Sequence, residues 1–269
     1  MAVKRSPHGA RKNVTVGSAR VNRPRPDRAG SYLACGWHAA AAFLESRPDA
    51  VRHAYFQAPP SGEMATRLER AGLRAELLDA AALDAISGGV THQGIILAGR
   101  PPEMRPLAEL LTAKPKLLLA LDGVTDPRNV GAIARSAEAA GFGGLILTRD
   151  RSPDMTPALV KTAAGATEYL PFCRVANLVR ALQSLQKEGF WRMGLDADGD
   201  RDVLDPASLP GLPAVLVAGA EGKGLRPLVL RNLDCLLQIP LAGRTASLNV
   251  SVASGLGIFA LARLLKDQT

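Results

Sequence analysis

The feature that most constrains this fold is a regular alternation of short apolar runs with helical stretches from residue 31 onwards. Leu117–Leu121 is continuously apolar, which is typical of a strand buried on both faces. Later runs of the same kind are Gly144–Leu147, Trp191–Leu195, Ala214–Ala218 and Leu236–Ile239. Strands that alternate with helices predict an α/β fold, an ordinary doubly wound and mostly parallel sheet.

The front of the chain predicts a smaller α/β unit over residues 31–98. Its predicted helices are Gly36–Ser46 and Glu63–Ala71, and its predicted strands are Val51–Phe56, Leu73–Leu77 and Gly94–Leu97. Residues 99–115 are rich in proline and charge, which favours a linker with one short helix. The main unit then occupies residues 116–269.

Helix signals follow the first buried strand of the main unit. Asp126 is a typical N-cap, and Pro127 suits the first helical position. Gly141 is expected to end this helix. The inward face has helical spacing and consists of Val130, Ile133, Ala134 and Ala137. A long apolar helix is expected from about residue 248 to residue 265.

The positive charge of the chain is concentrated at its start. The sequence has 33 Lys and Arg against 25 Asp and Glu. Residues 1–30 contain eight of these cations and only one anion, Asp27. We interpret this stretch as a basic flexible arm that grips a polyanion, most simply nucleic acid. The alternative is a solvated tail without a partner.

Several classes of protein are disfavoured. No apolar run approaches the ~20 residues that cross a bilayer, and no secretory signal is recognisable, so we expect a cytoplasmic protein without membrane contact. Neither the cysteines nor the histidines have metal-ligand spacing, so no metal and no disulfide are expected. These residues are Cys35, Cys173, Cys235, His8, His38, His53 and His92.

Three polar, glycine-containing segments each follow a predicted buried strand: Asp122–Glu138, Gly219–Leu225 and Ile239–Val252. In open α/β sheets, ligands bind beyond the carboxyl ends of the strands, so these segments are predicted to share one crevice. Known nucleotide motifs do not fit. The glycines are in the wrong order for a dinucleotide fingerprint and no P-loop is present, which disfavours a dehydrogenase or an ATPase.

Each polar residue also has a structural interpretation. Arg135 and Glu138 are spaced to pair on one helix. Asn249 and Ser251 fall in an apolar helix, where buried polar groups need partners. Ser247 has the chemistry of a helix cap.

Taken together, the three segments resemble the signature motifs of the SpoU (TrmH-type) RNA ribose 2′-O-methyltransferases of the SPOUT superfamily. The residues that carry the resemblance are Asp122, Gly123, Pro127, Asn129, Gly131, Arg135, Ser136, Glu138, Gly219, Glu221, Gly222, Gly224, Leu225, Ile239, Pro240, Ser247, Leu248, Asn249, Val250, Ser251 and Val252. The front segments 36–39 (GWHA) and 92–95 (HQGI) resemble the substrate-binding domain of the 23S rRNA guanosine-2′-O group. The resemblance spans roughly residues 33–266.

The resemblance implies an L30-like front domain for RNA and a SPOUT catalytic domain with a C-terminal deep trefoil knot, although knots are otherwise nearly absent from proteins. It also implies a homodimer and the cofactor S-adenosylmethionine. The cofactor would be held by backbone groups of Gly219, Ile239 and Leu248.

The implied function is transfer of a methyl group to a ribose 2′-OH of a guanosine in 23S rRNA. The implied catalytic set is Arg135, Asn129, Glu138, Glu221, Ser247 and Asn249. Because a guanidinium stays protonated, we interpret Arg135 as a phosphate clamp and a stabiliser of negative charge rather than a base. The alternatives are a tRNA ribose 2′-O-methyltransferase and a non-catalytic, ribosome-binding assembly factor.

Overall fold

The computed structural model describes residues 32–266, so the basic arm predicted for residues 1–30 lies outside the described residues. Within that range the chain forms two sheets, one of four strands and one of eight. The smaller sheet is built from residues 32–99, and the larger sheet from residues 104–238.

The first unit has the strand order β1-β4-β2-β3. Its strands are β1 (Tyr32–Cys35), β2 (Val51–Phe56), β3 (Ala75–Leu77) and β4 (Ile95–Gly99), and its helices are α1 (Trp37–Ser46), α2 (Gly62–Arg70) and α3 (Ala80–Ser87). β1 was not predicted from the sequence, because a four-residue run is too short to show a period. All four of its residues are buried, and it pairs antiparallel to β4.

The second unit alternates strands and helices as predicted. Its strands are β5 (Met104–Arg105), β6 (Leu117–Asp122), β7 (Leu145–Thr148), β8 (Phe172–Val175), β9 (Trp191–Leu195), β10 (Arg201–Asp202), β11 (Ala214–Gly219) and β12 (Cys235–Gln238). Its helices are α4 (Leu107–Thr112), α5 (Pro127–Ala139), α6 (Pro157–Ala163), α7 (Ala166–Tyr169), α8 (Leu178–Lys187), α9 (Pro227–Leu230) and α10 (Val250–Lys266).

The large sheet has the order β10-β12-β9-β11-β6-β7-β8-β5, and the pairings described for it are all parallel. Side chains of a strand alternate between faces. Leu119 and Leu121 therefore face a core shared with α5 and α10, while Leu118 and Ala120 face a core shared with α4 and α8. This confirms the predicted parallel sheet covered on both faces.

Helix α5 begins and ends as the sequence predicts. The side chain of Asp126 accepts a hydrogen bond from the backbone N–H of Arg128 at 2.8 Å, and Pro127 opens the helix. Gly141 follows its end with φ 79°, a conformation that glycine adopts readily. The four residues predicted to face inward are fully buried. The helix is therefore anchored to the sheet.

Two boundaries differ from the sequence analysis. The segment 99–115 does more than link the units, because β5 pairs with β8 and Leu110 packs in the core of the large sheet. The last helix begins at Val250 rather than at residue 248. Its start is set by the Asn249 side chain, which accepts a hydrogen bond from the Ser251 backbone N–H.

The two units are in direct contact. Val160 of α6 is buried in the core of the first unit, together with Phe43 of α1. The Tyr32 hydroxyl of β1 hydrogen-bonds to Thr167 of α7 at 2.7 Å. Helix α6 also packs on α5. The first unit is therefore fixed against the helix that packs on α5.

The three cysteines are free and buried, as expected for reduced thiols. Among residues 32–266, no cluster of His, Cys, Asp and Glu could hold a metal ion. No helix in the described range has the length and apolar character needed to cross a membrane.

Candidate active site

The site is assembled at the carboxyl ends of two neighbouring strands. β6 and β11 run parallel, with Asp122 directly opposite Gly219. The segments after these strands therefore start side by side. The third segment follows β12 and leads into α10, which packs on α5. The three segments that were predicted to share one crevice therefore meet at this end of the sheet.

Three of the predicted residues form one hydrogen-bond network. Asn129 Nδ2 donates to Glu221 Oε1 at 3.0 Å. Asn249 Nδ2 donates to the same Glu221 oxygen at 2.6 Å and to Asn129 Oδ1 at 3.2 Å. The network joins all three motif segments, although their residues are far apart in the sequence.

Asn249 holds the network and also caps α10. Its Oδ1 accepts hydrogen bonds from the backbone N–H of Ser251 at 2.8 Å and from the Ser251 hydroxyl at 2.5 Å. Because the oxygen faces the helix, the amide nitrogen must face Glu221. Asn249 and Ser251 thus lie at the start of the helix and have partners. The cap is Asn249, not Ser247.

An ion pair that was not predicted from the sequence supports the base of the site. The Asp122 side chain is fully buried and accepts hydrogen bonds from the Arg226 backbone N–H at 2.9 Å and from Nε at 2.6 Å. A buried carboxylate needs such partners. The position of Asp122 at the end of a buried strand was the signal that could have predicted one. This ion pair ties the segment after β11 to the end of β6.

The segment after β11 turns back on itself at its glycines. Ala220 and Gly224 exchange backbone hydrogen bonds of 3.2 and 2.9 Å. Gly222 and Gly224 both have positive φ angles. A Cβ at Gly219 would collide with the backbone of Gly224. The turn that carries Glu221 therefore depends on a glycine at position 219.

Arg135 lies apart from the network. Its side chain is exposed, and neither Arg135 nor Glu138 forms an ion pair or hydrogen bond through its side chain with another described residue. The pairing of Arg135 with Glu138 that their spacing allows is not present. Glu138 is nine residues beyond Asn129, about 13 Å along a helix. The structure therefore does not bring Glu138 into the network.

The segment between Ile239 and Leu248 keeps its backbone polar groups available. None of these residues makes a hydrogen bond with another described residue. Ile239 and Leu248 are half-buried, and Ile239 packs against the main core, whereas Ser247 is exposed. A stretch with available N–H and C=O groups beside apolar side chains suits a ligand that is partly polar and partly apolar.

Two family models match the chain. The SpoU rRNA Methylase family matches residues 116–259. The family described as RNA 2′-O ribose methyltransferase substrate binding matches residues 33–105. The first range contains the large sheet apart from its edge strand β5, and the second contains the small sheet apart from Tyr32.

Among relatives, the 23S rRNA (guanosine-2′-O-)-methyltransferase RlmB of Salmonella typhi is 39% identical over 241 residues, covering 87% of this chain and 98% of the relative. The RlmB of Ralstonia nicotianae is 40% identical and covers 87% of this chain and 96% of the relative. Among solved structures, the SpoU methyltransferase AviRb from Streptomyces viridochromogenes in complex with AdoMet has a TM-score of 0.74 at 24% identity, covering 89% of this chain and 92% of that one. On this evidence, the chain belongs to the SpoU rRNA methylase family.

Proposed function

We propose that this protein transfers a methyl group from S-adenosylmethionine to the ribose 2′-OH of a guanosine in 23S rRNA. The observation that carries the proposal is the network of Asn129, Glu221 and Asn249, which joins the three motif segments in one place. The relatives that cover most of this chain are named for this reaction.

The cofactor fits the segments that surround the network. S-Adenosylmethionine combines polar groups with an apolar purine, and when bound it supplies a methyl group on a sulfonium. The available backbone groups between Ile239 and Leu248 and the turn that begins at Gly219 are the positions that would hold it. We propose Gly219, Ile239 and Leu248 as the cofactor contacts.

Methyl transfer breaks a C–S bond, forms an O–C bond and releases the proton of the ribose hydroxyl. Arg135 is an exposed cation without a described partner, so its guanidinium is available to the RNA. It remains protonated and therefore cannot take up that proton. We assign it the stabilisation of negative charge on the ribose oxygen and the adjacent phosphate. Glu221 and Asn249 hold the motif segments together through their hydrogen bonds. Ser247 and Glu138 belong to the proposed set but lie outside this network.

We propose that the C-terminal segment is threaded as a trefoil knot. The supporting observation is that the segment 196–213 lies on α10: Leu204 and Phe259 line the same groove, and Val203 is buried in the core that contains Ile258. Mechanical stretching from both ends tests this path. A tightened knot leaves the extended chain shorter than ~3.3–3.6 Å per residue allows, whereas an unknotted chain reaches that limit.

We also propose a homodimer, formed through the exposed apolar face of α10. Val252 and Phe259 are 51% and 52% exposed on this helix. Apolar faces of this kind are typical of protein interfaces. Light scattering should give a dimer that Phe259→Glu dissociates. The control is Leu77→Glu, because Leu77 is 56% exposed on β3 of the first unit. A monomeric wild-type protein would contradict the proposal.

The decisive experiment maps ribose 2′-O-methylation at nucleotide resolution across rRNA and tRNA. It compares cells that carry the gene, cells that lack it and cells that carry Arg135→Ala. We expect both altered strains to lose 2′-O-methylation at one guanosine of 23S rRNA. Loss of a methylated site in tRNA would mean that tRNA is the substrate instead. If no methylation changed, a non-catalytic assembly factor would be favoured. Since 23S rRNA is made in the cytoplasm, we propose that the protein acts there.

A further inference from the structure

The contact between the first unit and helices α6 and α7, called the seam from here on, carries a cation whose role the site does not explain. Lys161 of α6 donates a hydrogen bond from Nζ to Gln93 Oε1 at 3.1 Å, across the boundary between the units. No carboxylate pairs with Lys161 among residues 32–266. Its positive charge is therefore not neutralised by the described chain.

Lys161 lies between the two front segments singled out in the sequence, 36–39 and 92–95. A Cβ at Gly36 would collide with Lys161 Nζ and would lie 2.8 Å from Gln93 Oε1. Glycine at position 36 therefore makes room for the ammonium group. Gln93 is exposed. Both segments thus meet at a cation that the other unit supplies.

The helix that carries Lys161 also packs on the helix that carries Arg135. At Gly131 the two helices are so close that a Cβ would lie 2.9 Å from the Thr162 side chain. Arg135 is one turn beyond Gly131, and Lys161 directly precedes Thr162. Adjacent helices therefore both present cations without a carboxylate partner among the described residues.

The seam is rigid enough to hold these groups in place. The buried Glu168 carboxylate of α7 accepts hydrogen bonds from Ser46 Oγ at 2.9 Å and from Arg47 Nε at 2.8 Å, both from the first unit. Gly165, which precedes α7, approaches Ala42 of α1 so closely that a Cβ on Gly165 would lie 2.8 Å from the Ala42 side chain. Lys161 and Gln93 thus keep a fixed relation to α5.

We propose that Lys161 binds a backbone phosphate of the substrate RNA. The RNA would then contact the first unit, Lys161 and α5 as one continuous surface. This inference rests on the proposed function for the identity of the RNA. A phosphate bound by a lysine releases counterions, and each such contact contributes about 0.7 to 0.9 to the slope of log affinity against log salt. The contact therefore has a signature that a purely structural hydrogen bond lacks.

The test measures binding of the full-length protein to a 23S rRNA transcript over a range of KCl concentrations. Lys161→Gln is expected to weaken binding about five- to tenfold at 100 mM KCl and to reduce the slope by about 0.7 to 0.9. Lys161→Arg should keep the slope. Gln93→Ala removes the same hydrogen bond but keeps the cation, so its slope should equal that of the wild type.

The matched control is Lys187→Gln, because Lys187 ends α8 on the opposite face of the large sheet. It should change neither affinity nor slope. An unchanged slope in Lys161→Gln, or an equal loss of slope in Gln93→Ala or Lys187→Gln, would overturn the proposal. Methylation of the transcript is measured in parallel: with a phosphate contact, Lys161→Gln raises KM for RNA and leaves kcat unchanged. A wild-type protein that binds the transcript without methylating it would contradict the proposed function, while the slopes would still decide the role of Lys161.

Discussion

Glu221 accepts a hydrogen bond of 3.0 Å from Asn129, which lies 92 positions earlier in the chain. The same carboxylate oxygen accepts a second hydrogen bond from Asn249. One side chain thus holds together the segments after β6 and β11 and the start of α10. The conformation of the site depends on donors and acceptors that match across these segments.

Asn249→Asp tests this dependence. The change replaces a donor by a carboxylate that would face Glu221 at hydrogen-bond distance, and like charges at that distance repel. We expect single-turnover methylation of a 23S rRNA transcript to fall on the order of 100-fold. Asn177→Asp is the control, because Asn177 caps α8 by accepting from the Arg180 N–H, and Asp caps equally well. Wild-type turnover in Asn249→Asp would show that the network is dispensable.

Much of the fold could be predicted because its signals are local. The buried strand at 117–121, the Asp126 cap and the Gly141 stop each depend on neighbouring residues, and all three were confirmed. By contrast, the ion pair of Asp122 with Arg226 joins residues 104 positions apart. No local pattern specifies such a pairing.

The site residues divide in the same way. The resemblance to the SpoU family implied Asn129, Glu221 and Asn249, and the fold brings them together. The start of the last helix was predicted near residue 248 rather than at Val250, because Ser247 and Asn249 have similar capping chemistry. The three-dimensional positions of Glu221 and of the start of α10 together show which way the Asn249 amide must face. The catalytic roles of all six residues in the proposed set stay predictions.

Arg135→Ala should lower turnover far more than cofactor affinity. The side chain is exposed and unpaired in the described structure, so its removal should not disturb the fold. We expect kcat to fall about 100- to 1,000-fold, the usual effect of losing one group that stabilises transition-state charge. Titration calorimetry with S-adenosylhomocysteine should show less than a twofold change.

Arg180→Ala is the control for this variant, because Arg180 is also exposed on a helix but lies on the opposite face of the large sheet. It should leave kcat and affinity unchanged. Equal losses of turnover and cofactor affinity in Arg135→Ala would contradict the charge-stabilising role.

Gly219→Ala should weaken cofactor binding. The added Cβ meets the Gly224 backbone, so the turn that carries Glu221 must shift. We expect the affinity for S-adenosylhomocysteine to drop at least tenfold, with circular dichroism unchanged. In the neighbouring segment, a Cβ at Gly243 meets no atom within 4 Å, so Gly243→Ala should lower the affinity less. Equal effects at both positions would argue against the collision.

The buried thiols should react slowly in the folded protein. Burial raises the pKa of Cys35 to about 11, with the Lys161 charge opposing the rise, and burial alone raises the pKa of Cys173 to about 11. The thiolate is the reactive form, and at pH 8 about one thiol in a thousand would be ionised. Labelling with a thiol reagent should therefore need urea at pH 8, and residual labelling should accelerate as pH rises towards 11. Rapid native labelling of Cys35 would contradict its burial.

The ion pair at the seam should stabilise the protein more than an exposed pair does. Glu168 is fully buried, and Glu168→Ala leaves the Arg47 charge, which is 26% exposed, without its carboxylate. Removing one partner of a buried pair is strongly destabilising, so we expect the free energy of unfolding in urea to fall by roughly 3 kcal/mol. The control is Asp154→Asn, which breaks an ion pair to Arg174 at a carboxylate that is 88% exposed. There the loss should be at most about 0.5 kcal/mol, since water already screens such pairs. Similar losses in the two variants would mean that Glu168 does not fix the first unit to α7.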